Sequence, residues 1–227
     1  MADKPTLTVA DHVRVTEAVH AAEAGTAGEI VTIITARSDR YQDVALWWAV
    51  GATIITLALL AAFPSSAQGL LARLSNGWLS DFSVAEAFEL ALAVALVAFG
   101  VTRLIFEWMP LRMRLTPRTV KARRVRGRAI RYFKVGAERR TLGRTGILIY
   151  LSTDEHMAEI VADEAIHGKI DQSLWGEAMG KLVGAAREGR LTDGMVAAIE
   201  DVGRLLASHF PREESDVNEL PDRLIEL

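Results

Sequence analysis

The sequence predicts an α/β domain interrupted by a two-helix membrane hairpin, and three observations carry that prediction. Two short β-branched runs, 29–37 (EIVTIITAR) and 146–152 (GILIYLS), are almost continuously apolar, as strands covered on both faces are. Between them lies 44–63 (VALWWAVGATIITLALLAAF), an uncharged stretch of 20 residues. At about 1.5 Å per residue it spans roughly 30 Å, the thickness of a hydrocarbon core. A basic, helix-compatible segment then precedes the second strand, so strand, crossover and strand form a parallel unit, right-handed by the usual rule.

The elements follow in chain order. The N-terminus, Met-Ala-Asp-Lys-Pro-Thr, lacks the charged-then-apolar layout of a signal peptide. Residues 8–24 read as a helix, with Thr8 as N-cap and Asp11 completing a variant capping box. Val9, Val13, Ala18 and Ala22 form its expected apolar stripe, and Gly25 ends it. The first strand follows and leads almost directly into the first apolar span.

Trp47 and Trp48 sit at one end of that span, where aromatic rings favour the membrane interface. The second span is placed at 84–106. Its ends carry Glu86, Glu89, Arg103 and Glu107, which can snorkel toward water, and Trp108 anchors its far end. The linker 64–83 carries only Arg73 and Asp81, with turn residues Pro64, Asn76 and Gly77. Arg37 and Arg40 precede the hairpin; Arg112, Arg114, Arg118, Lys121, Arg123 and Arg124 follow it. The positive-inside rule therefore places both termini in the cytoplasm, with the linker outside.

Beyond the hairpin, 117–140 reads as a basic helix with Pro117 near its start and Val120, Ala129, Ile130 and Phe133 facing a core. A third buried strand at 157–163 (MAEIVAD) joins the second through 153–156, short enough for an antiparallel hairpin. Two helices close the chain. One covers 173–188, with Leu174, Ala178, Leu182, Val183 and Ala186 inward and Trp175 as a core anchor. The other covers 192–208, with Thr192 as N-cap and Val196, Ile199, Val202 and Leu206 inward. Neither flank of the hairpin has enough strands for a sheet, so 1–43 and 109–227 should co-fold around the hairpin, 44–108. An even number of spans keeps both flanks on one side of the membrane.

Charge is segregated. Residues 110–145 hold 13 Lys/Arg and one acid, Glu138, whereas 146–227 hold 17 acids and 7 bases. The two regions can neutralise each other on one surface, or the basic stretch can also meet anionic lipid headgroups. Nucleic acid is not the expected partner of a basic stretch that abuts a membrane helix. The chain has no cysteine, which excludes structural disulfides and Cys-ligated zinc.

The run Thr145–Ser152, then Glu159-Ile160-Val161-Ala162-Asp163, then Ile166-His167, resembles the central strands of TPM domains. Trp175, the Gly189…Asp193-Gly194 segment, His209-Phe210-Pro211 and Asp216-Val217-Asn218-Glu219-Leu220-Pro221 are similar to a bacterial membrane-bound branch of that family, as is the early Gly28-Glu29-Ile30-Val31. The resemblance implies a small sandwich with helices on both faces of a mixed sheet. It also implies phosphatase activity in some members, assembly or modulation of membrane complexes in others, and binding of a divalent cation, chiefly calcium. This sequence departs from the family where that chemistry sits. Arg144-Thr145-Gly146 replaces an Asp-Asn-Gly opening of the second strand, and Asp163-Glu164-Ala165-Ile166-His167 replaces a Gly-Tyr-Gly-Leu-Glu-like segment.

A metal-assisted phosphatase needs several hard oxygen ligands around one or two cations. The candidate ligands are Asp39, Asp154, Asp163, Glu164 and Asp193, with Glu155 beside them. Asp39 and Asp154 should share the carboxyl edge of the sheet, the usual ligand edge of open α/β sheets. Asp163 belongs at the opposite edge, where Asp193 could approach it from the last helix. Such acids also serve as caps and turn residues, and His167 as a packed or hydrogen-bonded side chain. No phosphate-binding glycine loop is present, and Ser38, Ser152 and Ser173 lack a nucleophile elbow. The expected function is interaction or assembly with a membrane-protein partner, modulated by a cation. The alternative is a metal-dependent phosphatase at the membrane surface.

Overall fold

The computed structural model describes residues 7–65, 69, 83–136, 145–212 and 223–227. The 64–83 linker beyond these, the end of the basic segment and the 216–221 motif lie outside the described residues. The chain divides into an α/β unit, residues 1–39 with 118–227, and a helical unit, residues 40–117. The helical unit is wider than the 44–108 read from apolarity, because the chain before and after the two long helices belongs with them.

In the α/β unit, α1 (Val9–Glu23) leads to β1 (Glu29–Thr35). Thr8 and Asp11 form the expected capping box: Asp11 N–H donates to Thr8 Oγ1 at 3.2 Å, and Thr8 N–H donates to Asp11 Oδ2 at 2.8 Å. The apolar stripe differs from expectation. Val9 and Val13 are 83% and 49% exposed, while Val15 and Val19 are fully buried. Ala18 and Ala22 do pack against the core. Alanine and valine occur all round this helix, so its weak periodicity does not fix the buried face.

The sheet unites the two flanks of the hairpin. β2 (Gly146–Ser152) pairs parallel with β1 from Glu29↔Gly146 to Thr35↔Ser152, and β3 (Met157–Ala162) pairs antiparallel with β2. β1 and β2 are buried along their whole length, as their unbroken apolarity predicts. β3 is half-buried, as an edge strand, and not the third fully buried strand expected. A fourth strand, β4 (Ile225–Glu226), pairs parallel with the far side of β1, giving the order β3-β2-β1-β4. Leu227 N–H donates to Ile34 O at 3.0 Å, and Thr35 Oγ1 donates to Leu227 O at 3.1 Å. Two residues held by backbone bonds leave no periodic signal, so this strand was not foreseen.

One sheet face packs on α5 (Arg118–Gly136), through Val125, Ala129 and Phe133 against Val31, Ile33, Leu148 and Tyr150. Val120 and Ile130 are only half-buried, and Val125 takes the core position. The other face carries α1, the short α6 (Glu164–His167), α7 (Gln172–Arg187) and α8 (Leu191–His209). Ala178, Leu182 and Trp175 of α7 are buried, and so are Met195, Ile199, Val202 and Leu206 of α8. Leu174, expected inward, is 42% exposed. On this face Thr32 is 1% exposed and its Oγ1 has no hydrogen-bond partner among the described residues. Replacing it with the isosteric valine removes an unsatisfied buried hydroxyl. Thr32→Val is expected to raise stability by about 1 kcal/mol, read as a higher Tm.

Thr192 is not an N-cap. α8 starts after Arg190, and the buried Thr192 hydroxyl instead donates to Asp11 Oδ1 at 2.8 Å, joining the starts of α1 and α8. The Thr8 side chain, the Thr8 backbone and then Thr192 hold the Asp11 carboxyl at about 2, down from 3.8. A lowered acid pKa stabilises the fold above the ordinary value, and that stabilisation disappears as pH falls toward the folded value. Asp11→Asn should therefore melt below the parent at pH 7, with the gap closing as pH falls from about 4 toward 2.

The helical unit holds α2 (Gln42–Ala62) and α3 (Val84–Ile105), packed against each other, then α4 (Met109–Leu115). Trp48 near the start of α2 stacks on Phe106 just past the end of α3 at 5.8 Å, so the two helices run antiparallel as a hairpin. Arg112 closes its open end. This arginine is 3% exposed, and its guanidinium donates to Phe106 O (2.5 and 2.8 Å) and to Arg40 O (2.9 Å) and ion-pairs with Glu107. It thereby satisfies a helix-terminal carbonyl of α3 and holds the chain ahead of α2 beside it.

Candidate functional site

The carboxyl ends of β1 and β2 lie side by side, as the register Thr35↔Ser152 requires. Both chains leave the sheet there, β1 through Ala36–Asp39 and β2 through the Thr153–His156 turn. Thr153 N–H donates to Thr35 O at 3.0 Å, and Asp154 N–H to Ala36 O at 2.9 Å, so the turn extends the ladder past the last paired residues. His156 closes the turn in the left-handed region, with φ 52.

Glu155 lies at the centre of this edge and is 5% exposed. Its Oε1 accepts from Ser38 N–H at 2.9 Å, and its Oε2 accepts from the Ser152 hydroxyl. Ser38 Oγ in turn lies 3.0 Å from the Tyr150 hydroxyl. Ser38, Tyr150 and Ser152 are all buried. Burial pushes the Tyr150 phenol up to about 12, so it keeps its proton and works as a hydrogen-bonding partner, not a base. The cluster is a fastening. One carboxylate binds the exit of β1 to the turn after β2, and each polar group in it has a named partner.

The candidate acids are distributed around this fastening. Asp39 and Asp154 do share the carboxyl edge, but each faces a cation: Arg124 lies 2.7 Å from Asp39, and Arg37 lies 3.0 Å from Asp154. Asp163 is at the amino edge, as expected. It is 7% exposed, and its Oδ2 accepts from Gly146 N–H at 2.9 Å. Glu164 is exposed beside it. Asp193 does not approach that edge. It ion-pairs with Arg14 of α1 at 2.8 Å, while the far end of α8 reaches the amino edge through Ala27 N–H donating to Phe210 O. A helix of 19 residues is about 28 Å long, so Asp193 and Asp163 sit at opposite ends of the fold. His167 is exposed, neither packed nor gathered with the acids. Among the described residues, no three of His, Asp and Glu converge as metal ligands would.

A shallow depression between α7 and α8 is lined by Leu174, Lys181, Asp201 and Arg204. Its charges meet one another: Lys181 pairs with Asp201 at 3.2 Å and Glu177 at 3.4 Å, and Arg204 pairs with Asp201. Nothing there is left to select a ligand.

Two residues that organise the unit edges were not singled out from the sequence. Glu155 read as one turn acid among several, although Ser152 three positions earlier is the spacing at which a hydroxyl and a carboxylate meet across a tight turn. Arg112 read as one of six cations after the hairpin. Burial of a charge depends on partners from distant segments, and no local pattern announces it.

No family model matches the chain, and no curated protein does either. Among solved structures, the NMR structure of BA42 protein from the psychrophilic bacterium Bizionia argentinensis is similar over 100% of both chains, with a TM-score of 0.56 and 16% identity. At that identity the likeness shows the fold alone.

Proposed function

We propose that this is an integral protein of a bacterial inner membrane, with both termini cytoplasmic, whose TPM-like α/β domain serves assembly with a membrane-protein partner. One observation carries the reading: the apolar surface of the hairpin is uncovered. The helices, of 21 and 22 residues, are long and apolar enough to cross a bilayer, and only 17% and 6% of their most apolar stretches is buried. Ile54, Ile55, Leu92, Leu96 and Val97 are each at least 60% exposed. In water such a surface would exceed the few hundred Å² of contiguous apolar patch that soluble monomers tolerate. Lipid covers it without cost. Trp47, Trp48 and Trp108, all exposed at the open end of the hairpin where the chain enters and leaves it, suit the headgroup belt.

The distribution of the acids supports assembly over hydrolysis. Four of the five candidate ligands already have a cation or a backbone amide as partner, and a partner protein needs a shaped, rigid surface more than a ligand cluster. Calcium enters the reading only as a modulator. A rise in Tm in millimolar calcium keeps it there; an unchanged Tm removes it. The partner is tested by site-specific photocrosslinking from exposed positions on α7 and α8 in native membranes. A discrete, reproducible adduct with one membrane protein is expected. Uniformly absent or diffuse adducts from all positions would contradict the assembly role.

A further inference from the structure

We infer that the outer face of α5 is a docking surface for anionic phospholipid headgroups, which holds the α/β domain down on the bilayer. This deepens the membrane reading above and rests on it.

The inference starts from the two sides of one helix. α5 carries eight cations, six of them arginine, and no acid. Its inner side is fixed by Val125, Ala129 and Phe133 in the core. At helical spacing this turns Arg123, Arg131 and Lys134 to the opposite side, where all three are exposed. The domain neutralises little of this charge. Arg124 pairs with Asp39, Arg126 lies near Glu159, and Arg128 stacks over Tyr132 at 5.3 Å. Arg118, Lys121, Arg123, Arg131 and Lys134 have no ion-pair partner among the described residues. Like charges three and four residues apart on one helix repel each other, so the face is destabilised unless an external anion meets it.

Two features select phospholipid as that anion. Arginine forks bind phosphate oxygens in pairs, and arginine outnumbers lysine three to one here. The helix is also tethered where such phosphates are dense, since only α4 and its short junctions lie between the last span and Arg118. Several cations assigned to the positive-inside signal are in fact engaged internally: Arg37 with Asp154, Arg112 with carbonyl oxygens, Arg124 with Asp39. The charge free to meet the anionic leaflet therefore lies mainly along α5, whose length would lay a strip of about 28 Å on the surface.

The test uses the full chain in lipid nanodiscs. The chain has no cysteine, so a Val135→Cys variant takes one fluorophore. Val135 is 81% exposed and lies about 25 Å along α5 from Arg118, so tethering alone does not bring it to the lipid. Discs contain a headgroup-labelled quencher, with or without phosphatidylglycerol. Quenching is expected with phosphatidylglycerol, weak without it and reduced by high salt. Each surface cation contributes about five-fold, so the triple Arg123→Gln/Arg131→Gln/Lys134→Gln variant should weaken docking on the order of a hundred-fold. Its unchanged Tm in detergent would show that the domain remains folded. Quenching that is absent, or equal with both lipids, or unaffected in the folded triple variant, overturns the inference. Retention of the chain in discs through an alkaline wash separates the two readings. Retained chain without anion-dependent quenching overturns only the docking, whereas chain that never enters discs of any composition overturns the membrane reading as well.

Discussion

Gly203→Ala is expected to lower the stability of the α/β unit by about 2 kcal/mol, the middle of the range for overpacked cores. A Cβ at Gly203 would lie 2.7 Å from Ala22 Cβ and 3.2 Å from Ala22 Cα. The second atom is backbone of α1, so relief requires moving a helix that is already fixed to α8 through Thr192 and Asp11. Gly194→Ala should act similarly on the other side of α8, where its Cβ would meet Ala185 Cβ at 2.7 Å and Leu182 O at 3.2 Å. Gly127→Ala is the control: nothing lies within 4 Å of its Cβ, and alanine in an open helix position should stabilise by up to about 1 kcal/mol. Thermal melts in detergent would show the two packing variants falling and the control holding or rising. If Gly203→Ala matches the parent, the close approach of α1 and α8 is wrong.

Glu155→Ala is expected to have the larger effect, about 3 kcal/mol. It leaves the buried Ser38 N–H and Ser152 hydroxyl without their acceptor, each costing about 1–3 kcal/mol. The loss should be local before it is global. Hydrogen exchange should accelerate first at Ser38 and in the Thr153–His156 turn, while β1 and β2 interiors keep their protection. Uniform acceleration through the sheet would show that Glu155 serves general stability and not the fastening of the carboxyl edge. Asp154→Ala removes a half-exposed ion pair with Arg37, which is worth about 1 kcal/mol or less.

Much of this fold is legible in the sequence wherever one local pattern suffices. β1 and β2 announce themselves because both faces are covered, so no polar residue interrupts them. The α1 capping box is a contact between residues three apart, and the hairpin is a matter of length and apolarity. The α1 face, the role of Thr192 and the strand at Ile225–Glu226 were misread or missed because each is settled by a partner far away in sequence. The candidate site shows the same division. Placing Asp39 and Asp154 at one edge and Asp163 at the other follows from strand direction alone. That Arg37, Arg124 and Gly146 N–H already occupy those carboxylates, and that Asp193 turns to Arg14, depends on tertiary packing. Gly194 shows the same division: its place is set by Ala185 on the neighbouring helix, which no local pattern announces.

The central claim is that one α/β domain is interrupted by a hairpin that enters and leaves the same membrane face. Reporter fusions test it most directly, placed at the C-terminus and within the 64–83 linker and read with a paired cytoplasm-active and periplasm-active reporter. A C-terminus active only in the cytoplasm and a linker active only in the periplasm is the predicted result. A periplasmic C-terminus, or a linker on the same side as the C-terminus, would contradict the account.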